Sequence, residues 1–200
     1  MRGFRAAGLV AAASVGLGVA TLAAQSPVEV GLGAGASIPL GATSQGLNTG
    51  WHALALAEVR PWSSRVGIRV DAALQQLGFE GGGGNTQIAD VTANVAYHFE
   101  SASAPRLRPY LFGGVGVYRF KANSDFEVPP PQTKFGLDIG GGVEFEGLGT
   151  SLFIESRFSS VSVPSSDFRV LAVTAGLRLG GRGRRGSPAG AVPGGTGVGR

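Results

Sequence analysis

Beyond its first two dozen residues the chain breaks into eight short segments in which apolar residues alternate with small or charged ones. Alternation of period two is the signature of strands with two unlike faces. The segments fall at 27–38, 50–60, 65–77, 86–99, 108–121, 134–146, 150–160 and 168–179. The fourth is the cleanest: Ala89, Val91, Ala93, Val95 and Tyr97 share one face, and Asp90, Thr92, Asn94 and His98 the other. In the sixth, Phe135, Leu137, Ile139, Val143 and Phe145 oppose Asp138, Glu144 and Glu146. The seventh sets Leu152, Ile154 and Phe158 against Glu155 and Arg157, and the eighth sets Leu171, Val173, Leu177 and Leu179 against Arg178. The pattern leaves the phase of the second segment, at Leu54 and Leu56, and of the fifth, at Tyr110 and Phe112, open. Glycines throughout the segments argue against helices.

The joints are expected to alternate in length. Shorter ones fall at Pro61–Ser64, Ser101–Arg106 and Gly147–Gly149, and longer ones at Pro39–Thr49, Gly78–Asn85, Lys121–Thr133 and Val161–Asp167. An even number of strands with such joints predicts an all-β, eight-stranded, antiparallel up-and-down transmembrane barrel, with the shorter joints on the periplasmic side and the longer ones outside the cell.

The two ends differ from the middle. Arg2 and Arg5, the apolar run Leu9–Val19 and the small residues Thr21–Ala24 read as a signal peptide over 1–24, followed by a barrel domain over 25–180. Residues 181–200, rich in Gly, Arg and Pro, carry no strand period and read as a disordered tail. No later segment is apolar for long enough to make a membrane helix.

Composition adds little beyond this. Of 17 basic residues, six (Arg2, Arg5, Arg182, Arg184, Arg185 and Arg200) lie in the end segments; the other 11 face 13 acidic residues. The basic balance therefore implies no nucleic-acid partner. There are 35 glycines and no cysteine, so disulfides and thiolate metal sites are excluded.

Period two does not say which face is inside. A soluble exported barrel with a small ligand in its mouth would turn its polar face to water. Three features favour membrane. Lys is confined to Lys121 and Lys134, whereas water-facing strands use Lys to protect their edges. The strand lengths suit a tilted crossing of the hydrocarbon. Trp51, Tyr97, Phe99, Tyr110, Phe120, Phe135, Phe145 and Phe168 lie near strand ends, where interfacial girdles are expected.

With the apolar face outward, the lumen receives Glu29, Glu58, Arg69, Asp71, Asp90, Asp138, Glu144, Glu155, Arg157 and Arg178. An eight-stranded bore is just wide enough for side chains to fill, so these charges are expected to pair as a structural network that plugs it. By strand neighbourhood, Asp71, Glu144 and Glu155 are the expected partners of Arg69, Arg157 and Arg178. The alternative is a narrow pore for small solutes.

Catalytic signals are thin. His52 and His98 stand apart from any local nucleophile motif, and two isolated histidines do not define a metal site. The run Gly81–Gly84 lacks the Lys-Ser/Thr and the helix of a phosphate loop. Pro129–Pro131 stiffens a loop. No catalytic residue, cofactor or metal is assigned.

The segment Arg108-Pro109-Tyr110-Leu111-Phe112-Gly113-Gly114-Val115-Gly116, the closing Thr174-Ala175-Gly176-Leu177-Arg178-Leu179 and the export signal resemble those of the small eight-stranded outer-membrane barrels, the superfamily of the outer-membrane protein A, protein X and opacity-type barrels. The resemblance covers residues 25–180. It implies location in the cell outer membrane among its lipids, insertion by the barrel assembly machinery, and roles from wall anchoring to adhesion through surface partners, with no shared activity. The last strand ends at Leu179 rather than on the terminal aromatic usual in such barrels, and no wall-binding domain follows, so the wall-anchoring role is not expected.

Overall fold

In the computed structural model, described over residues 28–60, 65–99, 106–124, 130–147, 150–163 and 166–180, eight strands close into one antiparallel barrel in sequence order. They are β1 (Val28–Leu40), β2 (Gly50–Val59), β3 (Val66–Gly78), β4 (Gly84–His98), β5 (Leu107–Ser124), β6 (Gln132–Glu146), β7 (Thr150–Val163) and β8 (Ser166–Leu179). A single 3-10 turn, Gly41–Gln45, follows β1. The expected signal peptide and tail lie outside the described residues.

The register fixes the shape. Starting at Val28, the row of partners runs Val59, Ile68, Val95, Gly113, Ile139, Phe158 and Leu171, and returns to β1 at Ile38. One circuit therefore advances β1 by ten residues, from 28 to 38. Ten residues of about 3.3 Å set against eight strand spacings of about 4.8 Å give a strand tilt of roughly 40°. The starts of β1 and the end of β8 share one rim, here the lower one, with the joints β2–β3, β4–β5 and β6–β7; the other four joints form the upper rim.

Alternation of burial follows the alternation of sequence. On β4 every even residue from Ile88 to His98 is buried and every odd one from Gln87 to Phe99 is exposed. The outward face is an apolar belt: Leu32, Ile68, Leu74, Val95, Leu137 and Ile139 all stand exposed, Ile139 at 65%. A soluble barrel would hide these side chains; a closed barrel wearing them outside is a membrane-spanning one. The open phases of β2 and β5 resolve inward at Leu54, Leu56, Tyr110 and Phe112.

Two expectations are corrected. The first concerns the girdle. Trp51, Tyr97, Phe99, Phe135 and Phe145 do face outward, but Tyr110 is buried in the bore, and Phe120 and Phe168 pack edge-on to each other at 5.0 Å against an interior cluster. The reason is parity: β5 turns its even residues inward, so its aromatics fill the lumen. They fit because glycines face them. A Cβ at Gly140 would come within 2.4 Å of Phe112, and one at Gly142 within 2.8 Å of the Tyr110 hydroxyl, each glycine being the direct cross-strand partner of its ring.

The second concerns joint length. β7 and β8 pair as far as Val163 and Ser166, so the strands run through most of the long joint expected at 161–167. β4 and β5 likewise pair up to Gly84 and Ser124. Polar residues here continue the ladder without the apolar alternation that marks a strand in sequence. At the β3–β4 tip, Gly81, Gly82 and Gly83 all take positive φ near 80°, a turn only glycines make cheaply.

Candidate functional site

The bore is the one region where chemistry concentrates. From the lower rim upward it forms four layers. In the lowest, Arg60 pairs with Glu29 and lies 3.7 Å from Glu58. Glu58 is the hub: His98 Nε2 sits 2.5 Å from its Oε1, and Arg178 Nη1 donates to its Oε2 at 3.1 Å. The Arg178 guanidinium lies 4.0 Å from Glu29 and 3.9 Å from Glu144, and stacks over the Tyr110 ring at 4.7 Å.

The second layer holds the tightest geometry. Arg69 donates through both terminal nitrogens to Glu155 at 2.8 Å each, and through Nε to Asp71 at 2.6 Å. Tyr110 donates its hydroxyl to Glu155 at 2.8 Å. Arg157 reaches the other oxygen of Asp71 at 2.8 Å, which also accepts from Asn94 at 2.9 Å. The Phe112 ring lies beneath Arg69 at 4.4 Å and near Arg157 at 5.4 Å. Planar guanidinium groups suit this layer, since each can bond carboxylates with a rigid fork while its face rests on an aromatic ring.

Above it the polar groups thin out. Arg157 Nε lies 3.7 Å from Asp138. Gln75 donates to Asp90 at 3.1 Å and accepts from Ser37 at 2.9 Å. His52 bridges Ser37 at 3.1 Å and Thr174 at 2.8 Å. The fourth layer is apolar: Leu77, Ile88, Tyr118, Val161 and Val170 pack together, with Leu47, Phe120 and Phe168 against them. This cap spans β3, β4, β5, β7 and β8 near the upper rim.

All ten lumen residues named from sequence are buried: Glu29, Glu58, Arg69, Asp71, Asp90, Asp138, Glu144, Glu155, Arg157 and Arg178. Their partners differ in one respect. Glu144 does not meet Arg157; it lies in the lowest layer beside Arg178, while Arg157 meets Asp71, Asp138 and Glu155. Tilt is the cause. Arg157 is level with Gly140 on β6, and Glu144 is level with Phe153, four residues further down β7. Sequence reasoning did not assign Arg60, Tyr110, Asn94, Gln75 or Ser37 to the network. Parity places Arg60 on the Glu58 face of β2, which was the available signal.

Chemically the bore holds seven buried carboxylates against three buried guanidinium groups, with Arg60 at the lower mouth. Among the described residues no group of His, Asp and Glu is arranged to hold a metal ion. His52 has hydroxyls on both ring nitrogens but no carboxylate on either, and so lacks the orienting acid of a serine–histidine triad.

A closed barrel of eight tilted strands with an apolar belt outside and a charged bore inside defines a bacterial outer-membrane barrel. Residues 9–178 match the model of the outer membrane protein beta-barrel domain, and the chain belongs to that family. It lies in the cell outer membrane. Among solved structures, Neisserial surface protein A is similar over 77% of this chain and 97% of its own, at 18% identity and a TM-score of 0.62. OprG from Pseudomonas aeruginosa is similar over 76% of this chain and 96% of its own, at 13% identity and a TM-score of 0.51. The outer membrane enzyme PagL is similar over 76% of this chain and 99% of its own, at 16% identity and a TM-score of 0.51. These likenesses are of fold. Curated protein sequences give no match.

Proposed function

We propose that this protein is a non-enzymatic outer-membrane barrel with a plugged lumen, acting structurally or by engaging a surface partner through the joints of its upper rim. The observation that carries the reading is the strut from β3 to β7, Arg69 to Glu155, at full burial beneath an apolar cap. A solute path along the axis would have to break both. The centre of the bore is closed by shared partners: Glu155 accepts from Arg69 and Tyr110, and Asp71 from Arg69, Arg157 and Asn94. Insertion by the barrel assembly machinery belongs to this reading, as does an upper rim that faces the cell exterior. Planar-bilayer recording of the refolded barrel tests it. Absence of stable single-channel steps is the expected result, and large, long-lived steps from the wild type would favour a pore.

A further inference from the structure

We propose that the outer wall of β1–β5 binds one phosphorylated lipid of the surrounding leaflet, its acyl chain in an alanine-paved groove and its headgroup on Arg119 and Lys121. The groove, of about 790 Å³, is open to the membrane side. Its floor is made by four outward alanines on three adjacent strands: Ala53 and Ala55 on β2, Ala72 on β3 and Ala89 on β4. Alanine is a poor strand former, so four together on one outer face are not explained by strand propensity. On β6 and β7, across the barrel, the outer wall carries large side chains such as Leu137, Ile139, Leu152 and Ile154.

The groove climbs. Leu32, Ala55, Ala72, Val91 and Val117 form one cross-strand row, which begins in the lower half of β1 and, because the strands tilt, reaches the upper half of β5. Its upper end is closed by Arg119, whose cross-strand neighbours are Ala89 and Thr133, all three lining the groove. Lys121 stands next along the same exposed face of β5, in a row with Gln76 and Gln87. Arg119 and Lys121 make no ion pair among the described residues. An outward arginine is costly near the bilayer midplane and tolerated toward the interface, where an anionic group meets it. A chain-sized apolar furrow ending on two cations without an ion-pair partner among the described residues, and on a hydroxyl, is complementary to an acyl phosphate ester, and not to a neutral lipid.

The test is native mass spectrometry of the folded full-length barrel released from nanodiscs of equal phosphatidylglycerol and phosphatidylcholine. Wild type should retain the anionic lipid preferentially, by about fivefold for each basic side chain. Arg119→Gln with Lys121→Gln should abolish the preference, while Arg119→Lys keeps it. Ala55→Leu with Ala72→Leu should fill the groove and lower retention of either lipid. A heat-modifiable band checks that each variant is folded. Equal retention of both lipids by wild type, an unchanged preference in the glutamine variant, or a dimer mass that replaces the lipid adduct would overturn the proposal.

Discussion

Arg69 and Glu155 meet across the whole width of the bore, with two parallel hydrogen bonds of 2.8 Å joining strands four places apart around the ring. Neither side chain is reached by solvent. Breaking a buried pair by removing one partner typically costs about 3–5 kcal/mol. Arg69→Ala should therefore lower barrel stability by about that much, because Glu155 loses its two-pronged donor and Asp71 one of its three donors. Urea titration followed by the shift between folded and unfolded bands reads the change. A loss below about 1 kcal/mol would mean that the strut is dispensable.

Partner choice is tested by two double-mutant cycles. Arg157 and Asp71 are in contact at 2.8 Å, so their coupling should be of order 0.5–3 kcal/mol. Arg157 and Glu144 make no direct contact and are linked through Glu155 and Arg178, so their coupling should be smaller than that of Arg157 with Asp71. Coupling to Glu144 as strong as that to Asp71 would require a direct contact, which the register of β6 on β7 does not give.

The outward face makes a separate prediction. Ile139 stands exposed in the middle of β6. Arginine there should cost about 2–4 kcal/mol if the site is near the midplane. The same substitution in a water-facing strand would be nearly neutral, so the measurement also reports which face meets lipid.

The glycine sockets should be intolerant of even one methyl group. A Cβ at Gly140 would meet Phe112 at 2.4 Å and the Ser156 carbonyl oxygen at 2.5 Å. Gly140→Ala should cost about 1–3 kcal/mol by overpacking. Gly46, whose surroundings are empty, is the control, and alanine there should be close to neutral.

Much of this fold was legible in the sequence, for reasons particular to each strand. β4 announces itself because its two faces differ in kind: Val91 and Val95 against Asp90 and Asn94. β5 does not, because its inner face is aromatic and its outer face aliphatic, and both score as apolar: Tyr110 and Phe112 against Leu111 and Val115. The same ambiguity makes Tyr110 look like a girdle residue in the sequence. The set of buried charges follows from parity alone. Who pairs with whom does not, since a contact across the bore depends on tilt, and tilt depends on a register that no single strand contains. Glu144 and Arg157 lie on adjacent strands and still sit in different layers.

The ten-residue advance around the barrel carries a constraint on how such a chain can vary. Val28 and Ile38 close the circuit, and both point outward, because the advance is an even number. A single residue inserted within a strand would make the count odd. Unless a β-bulge absorbed it, part of a strand would then have to turn over, sending a guanidinium such as Arg69 or Arg157 into lipid and a leucine into the bore. Length can therefore change freely in the joints; within the wall a single added residue needs a bulge to absorb it, and a pair does not.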